Sequence, residues 1–225
     1  MTRQTSKSSV AESPREQKQR VKKIIKLLDQ TYPHVGLALN FSTPLELLIA
    51  LILAAQCTDE RVNQVTAQLF PRYRTAEDWA ALDQNTLEHE IRAINFYRNK
   101  AKTIKACCQA LLDQFGGQVP ATVEDLVSLP GVGRKTANIL LGNAFGQPAI
   151  GVDRHVARLA QRLGLTHETD PDRIEFDLQP LVPDDSKVRF CHLLQAHGRT
   201  ICLARSPRCD ICPIKDLCPY PANKR

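Results

Sequence analysis

Three features of this 225-residue chain predict an all-α fold. Apolar residues recur at spacings of three and four, as in Val21, Ile24, Ile25 and Leu28 and again in Leu48, Leu51, Ile52 and Ala55, the periodicity of a helix face turned to a core. Helix-start signals repeat along the chain. No segment alternates apolar and polar side chains as a half-buried strand does. The pattern amounts to about ten short helices joined by tight loops.

In chain order, the first 14 residues, MTRQTSKSSVAESP, carry no apolar periodicity and read as a disordered basic tail. Val21 to Leu28 form the stripe of the first helix. Thr43-Pro44-Leu45-Glu46 is a capping box with proline at the first helical position, opening the apolar run LELLIALILAA at 45–55. That run is the longest in the chain and falls short of the roughly 18 residues a membrane helix needs, so no membrane partner is expected. Thr75 with Asp78 and Thr122 with Asp125 repeat the cap logic, and Asp170-Pro171 opens a later helix. There is no long linker and no repeat, so a second domain must be built by packing.

The net charge of +6 is unevenly placed. Residues 1–26 hold eight Lys or Arg against Glu12 and Glu16, and the rest of the chain is balanced. Within that remainder, 131–162 and 186–225 are basic and 163–185 is acidic, a distribution suited either to an anionic ligand or to plain solvated faces. The N-terminus lacks the apolar core of a secretory signal, and its two glutamates weigh against an organelle transit peptide. An intracellular address is the expectation, a prokaryotic cytoplasm or nucleoid first, with an organelle left open.

Two motifs carry chemistry. The segment CLARSPRCDICPIKDLC places Cys202, Cys209, Cys212 and Cys218 with six, two and five residues between them. Four thiolates this close in sequence suit one metal centre. A single CxxC flanked by one cysteine on each side departs from the two-pair zinc pattern and favours an iron-sulfur centre, with zinc still open. Cys107, Cys108 and Cys191 sit in apolar helical contexts and read as small core residues. Upstream, LPGVGRKTANIL at 129–140 is a glycine turn followed by a helix start. Gly131 and Gly133 permit close backbone approach, and N–H groups at a helix N-terminus make an anion site. Arg134 and Lys135 stand in that first turn, where the helix dipole favours acids. Either a bound phosphate offsets the repulsion, or the repulsion favours a neutral, nucleophilic amine at Lys135. In GVDRHVARL at 151–159, Asp153 reads as a helix N-cap and as a carboxylate able to handle protons.

On these residues the chain resembles the endonuclease III family, bifunctional DNA glycosylases of the helix-hairpin-helix superfamily. The likeness runs from about residue 18 onward and joins LELLIALILAAQCTD, INFYRNKAKTI, LPGVGRKTA, GVDRHVARL and the cysteine segment in the family's order. The resemblance implies removal of oxidised pyrimidines from duplex DNA and cleavage 3′ to the abasic site. Lys135 is then the nucleophile, Asp153 the catalytic carboxylate, and the four cysteines the ligands of a [4Fe-4S] cluster. It implies a monomer of two helical domains with DNA in the groove between them. One is a cluster domain of residues 15–36 and 148–225; the other is a six-helix domain of 37–147 carrying the hairpin at 122–145. Gln56 maps to a residue that fills the gap left by a flipped nucleotide, and Ile94 to an apolar wedge. Gly131, Val132, Gly133, Arg134, Arg154, Arg205 and Arg208 are the remaining candidate DNA contacts. The partner is double-stranded DNA holding damaged bases or abasic sites. Cys57, Arg154, Ser206 and the pair Asn95-Phe96 depart from common family residues, the last standing where Gly-Leu is typical. A sister glycosylase or a noncatalytic DNA-binding or redox-sensing module are the alternatives.

Overall fold

The structure, a computed structural model, describes residues 12–220. Eleven α-helices and three short 3₁₀ turns account for the regular structure among the described residues, and no strand is present there. The expected disordered tail lies outside the described residues up to position 11. Its last residues differ from the expectation: Ser13 caps helix α1 (Pro14–Thr31) through a complete capping box with Glu16. Arg20 pairs with Glu12 at 2.7 Å and anchors this start.

Helices begin where short polar side chains accept the free N–H groups of the first turn. Thr43 caps α2 (Pro44–Ala54), Thr58 caps α3 (Asp59–Leu69), and Thr75 with Asp78 forms a capping box on α4 (Ala76–Ala81). Asp83 caps α5 (Gln84–Glu90), Thr122 caps α7 (Val123–Ser128), Asp153 caps α9 (Arg154–Arg162) and Asp170 caps α10 (Pro171–Leu178). Three α-helices start without a side-chain cap: α6 (Tyr97–Phe115), α8 (Arg134–Ala144) and α11 (Lys187–Thr200). Helix α11 leads into the cysteine loop.

The buried apolar residues fall into two clusters. One gathers Leu39 to Ala149 and includes Trp79 at 1% exposure; the other joins Val21, Ile24 and Leu28 of α1 to residues between Ile150 and Ile214. The interval 37–147 holds seven α-helices, not six, because Leu82 in extended conformation and the Asp83 cap split α4 from α5. Arg189 of α11 ties the second cluster to the chain's beginning, donating to Asp29 Oδ1 at 2.6 Å, to the Tyr32 carbonyl at 2.8 Å and to that of Val35. No helix among the described residues is long and apolar enough to cross a membrane.

Candidate active site

Helices α7 and α8 and the turn between them form the hairpin. Gly131 has φ +81°, and a Cβ built on it would stand 2.2 Å from Thr103 Cγ2 of α6. Both the left-handed backbone and the close approach demand glycine here. Gly131→Ala is therefore expected to cost about 1–3 kcal/mol of stability in chemical denaturation. Val132 differs from its expected role as a DNA contact. Its side chain is 6% exposed within the first core, and its N–H donates to the Leu129 carbonyl at 3.1 Å, so it plugs the turn and has neither group to offer.

Beyond the turn, Gly133 is the N-cap of α8 and supplies no side-chain acceptor. The first turn of α8 thus presents uncapped N–H groups at an exposed helix end, the arrangement that attracts anions. Arg134 departs from the expectation of a free phosphate ligand. Its Nε and a terminal nitrogen grip the Glu175 carboxylate of α10 at 2.8 and 2.9 Å, and Asn138 Nδ2, one turn later, donates to the same carboxylate at 2.7 Å. Glu175 holds the Arg134 guanidinium further into its charged form. This pairing joins a helix of the first core to a helix of the second and answers the charge problem of Arg134. Lys135 is left exposed, and its amine has no ion pair or hydrogen bond among the described residues.

The segment that leads into α9 lies along α8. A Cβ at Gly151 would stand 2.7 Å from Ile139 Cγ1 and 3.6 Å from the Lys135 carbonyl, so only glycine lets the strand of chain pass this close. Two residues on, Asp153 Oδ1 accepts from the His155 and Val156 N–H groups, both at 2.8 Å. The cap reading holds, and the second carboxylate oxygen is not spent on the cap.

Gln56 follows the end of α2 with φ 55°, and Phe96 precedes α6 with φ 58°; among the described residues these are the non-glycine residues of positive φ. Each such conformation costs ~1–2 kcal/mol and persists where the surroundings impose it. Gln56 is exposed as its expected role requires. Ile94 is not a wedge: it is 1% exposed and packed in the first core. The exposed apolar side chain at this place is Phe96, two residues on, at 61%. A polar cleft lies beside this loop, lined from one side by Cys57, Asp59 and Glu60 and from the other by Arg154, Arg158 and Arg199. Arg154 is exposed and reaches His155 Nε2 at 3.3 Å; Arg205 and Arg208 are exposed on the cysteine loop.

That loop has only two 3₁₀ turns, Cys209–Ile211 and Lys215–Leu217, and is held by side chains from outside it. Arg162 of α9 donates to the carbonyls of Leu203 and Ala204 at 2.8 Å and to Cys202 Sγ at 3.2 Å, while stacking over Tyr220 at 4.5 Å. Cys202, Cys209, Cys212 and Cys218 all line one pocket beside His197, whose Nε2 lies 3.5 Å from Cys212 Sγ. The four sulfurs line this space together, as the ligands of one centre would. Burial, reinforced by the neighbouring cysteines, pushes the Cys212 and Cys218 thiols up. A compensating cation favours the thiolate form of these two groups, and the Arg162 and His197 nitrogens stand close to Cys202 Sγ and Cys212 Sγ as donors to sulfur. The residues fit an iron-sulfur cluster. The remaining buried cysteines, Cys107, Cys108 and Cys191, are core residues as their contexts implied.

The family profile described as HhH-GPD superfamily base excision DNA repair protein matches residues 49–184, and that of the iron-sulfur binding domain of endonuclease III matches 202–218. Endonuclease III of Synechocystis is 47% identical over 94% of this chain and 97% of its own. The chain belongs to the endonuclease III family. Endonuclease III of Escherichia coli K12 is 43% identical over 88% of this chain and 93% of its own. A solved non-covalent endonuclease III–DNA complex superposes with a TM-score of 0.84 at 40% identity, covering 92% of this chain and 97% of that one. A trapped endonuclease III–DNA covalent intermediate matches with the same score and identity. As a member of this family, the chain carries a [4Fe-4S] cluster in the loop of its four C-terminal cysteines.

Sequence reasoning missed three features of this endonuclease III-type site. Phe96 was visible only as an unusual residue, since exposure is not written in a side chain's identity. Glu175 lies 41 residues from Arg134, beyond any local pattern. No local pattern marks Lys100, yet it is 6% exposed and caps the end of α2.

Proposed function

We propose that this base-excision repair glycosylase and abasic-site lyase removes oxidised pyrimidines from duplex DNA, acting as an intracellular monomer of two helical domains built on its two cores. The observation that carries the reading is the exposed, unpaired Lys135 amine in the first turn of uncapped α8, with the Asp153 segment laid along the same turn through Gly151. Phosphate backbone is held by the hairpin N–H groups and by Arg154, Arg205 and Arg208, contacts that position the duplex without reading sequence. Extruding the damaged nucleotide costs stacking and pairing energy. Gln56 fills the vacated place and Phe96 wedges the stack, an apolar insertion that its 61% exposure makes available.

Chemistry then needs a bond from Lys135 Nζ to the sugar C1′ and departure of the base. Asp153, through the carboxylate oxygen not engaged by the cap, stabilises the developing sugar cation and accepts the proton released by the amine. The C1′–O4′ bond then breaks, O4′ taking the proton that Asp153 accepted, and the opened sugar is a Schiff base on Lys135; it acidifies the C2′ proton, whose loss expels the 3′ phosphate. Water finally returns the free lysine. The cluster, held by Cys202, Cys209, Cys212 and Cys218, fixes the loop carrying Arg205 and Arg208.

Gel analysis of an end-labelled duplex with one oxidised pyrimidine tests the reading. The expected product is a strand broken 3′ to the lesion without added alkali. An intact strand that breaks only on alkali treatment would make the enzyme a monofunctional glycosylase and remove Lys135 from the mechanism.

A further inference from the structure

Carbonyls at the end of a helix lack partners and are normally left to water. At the end of α2 they are taken up by side chains from one neighbouring segment. Lys100 Nζ donates to the Leu53 carbonyl at 2.8 Å and to that of Ala55 at 2.6 Å, and Asn95 Nδ2 donates to the Gln56 carbonyl at 2.7 Å. The Ala54 carbonyl accepts from the Cys57 N–H at 3.1 Å. Four consecutive carbonyls, 53 to 56, are thereby fixed, and the backbone they belong to includes Gln56 in its left-handed conformation. Asn95 is also the residue directly before Phe96, the other non-glycine residue of positive φ among the described residues. One amide side chain spans 39 residues of sequence to bind the two loops into a single rigid edge.

We propose that Asn95 is a positioning residue for nucleotide extrusion, holding Gln56 and Phe96 at a fixed separation so that the two enter the duplex together. This rests on the reading of Gln56 and Phe96 as the inserting pair. Lys100 is buried and supports the helix end, whereas Asn95 is exposed and among the described residues its side chain reaches only Gln56, so its loss leaves the core untouched. A glycine here, typical of the family, has no donor for this bond; the Asn95 amide supplies it to an edge whose inserting residue is a bulkier Phe. A preset edge loses less freedom when it inserts, and that gain matters only when a stacked pair must be opened.

The test uses the full-length holoenzyme under single turnover on two duplexes, one with the oxidised pyrimidine opposite a purine and one with an abasic analogue opposite the lesion, where no pair has to be broken. Asn95→Ala is expected to slow excision from the paired duplex roughly five- to tenfold and from the unpaired one less than twofold. Fluorescence of 2-aminopurine opposite the lesion should rise more slowly by the same factor, and Asn95→Ala should add nothing further in a Gln56→Ala background. Asn95→Gly, lacking the same donor, should behave likewise. Equal slowing on both duplexes, or full additivity with Gln56→Ala, overturns the proposal. So does a wild-type rate for Asn95→Ala when Gln56→Ala is slow, which leaves the gap-filling reading intact. A wild-type rate for Gln56→Ala itself removes that reading and the proposal with it.

Discussion

Lys135→Ala is expected to abolish the covalent adduct formed when the enzyme is mixed with abasic-site duplex and borohydride, and to lower strand cleavage by at least about a thousandfold. As the proposed nucleophile, Lys135 supplies the one bond between protein and sugar, so no neighbouring group substitutes for it. The same change should leave the fold as stable as before or stabilise it slightly. Lys135 is exposed, sits at the positive end of α8 and has no partner among the described residues, so alanine removes a cation from the wrong end of a helix dipole and improves helix propensity. A gain of about 0.3–1 kcal/mol in chemical denaturation accompanying lost activity would mark a residue kept for chemistry against the interest of the helix. Arg134 provides the contrast. It occupies the same turn, but its charge is met by Glu175 at 2.8 Å, so its contribution is to hold two helices together. Retained trapping in Lys135→Ala would move the nucleophile elsewhere and dissolve the mechanism.

The helix starts were legible in the sequence because capping is local chemistry. Thr43, Thr75, Thr122, Asp153 and Asp170 each accept from an N–H within three residues, as their spacing implied. The iron-sulfur segment was legible for the same reason, four cysteines lying within one loop. What escaped depends on contacts distant in sequence or on which way a residue faces. Ile94 and Phe96 are two positions apart, and at the irregular entry to α6 no helical period says which of them points into the core. Val132 stands between two glycines that read as DNA contacts, yet the turn is held by an apolar plug and an internal N–H bond, and Val132 provides both. The Arg134–Glu175–Asn138 network forms only when the two cores meet.

Asp153 caps α9 and is proposed to act in the chemistry as well, and two substitutions separate the two roles. Its Oδ1 accepts from the His155 and Val156 N–H groups at 2.8 Å, so the start of α9 depends on an acceptor there. Asparagine offers the same carbonyl oxygen in the same place and is as good an N-cap, so Asp153→Asn should unfold at the wild-type denaturant concentration. Alanine offers none and should cost about 0.5–2 kcal/mol. Both remove the charge that steadies a sugar cation and the base that takes a proton, and both should lower the excision rate roughly 10²- to 10⁴-fold with duplex binding retained. The decisive result is the asparagine variant: a stable, DNA-binding protein with its chemistry lost assigns the carboxylate to catalysis, because the cap is intact. A near-wild-type rate in Asp153→Asn with a slow, destabilised Asp153→Ala would reduce Asp153 to its cap, and the proton would then have to leave the Lys135 amine by way of solvent.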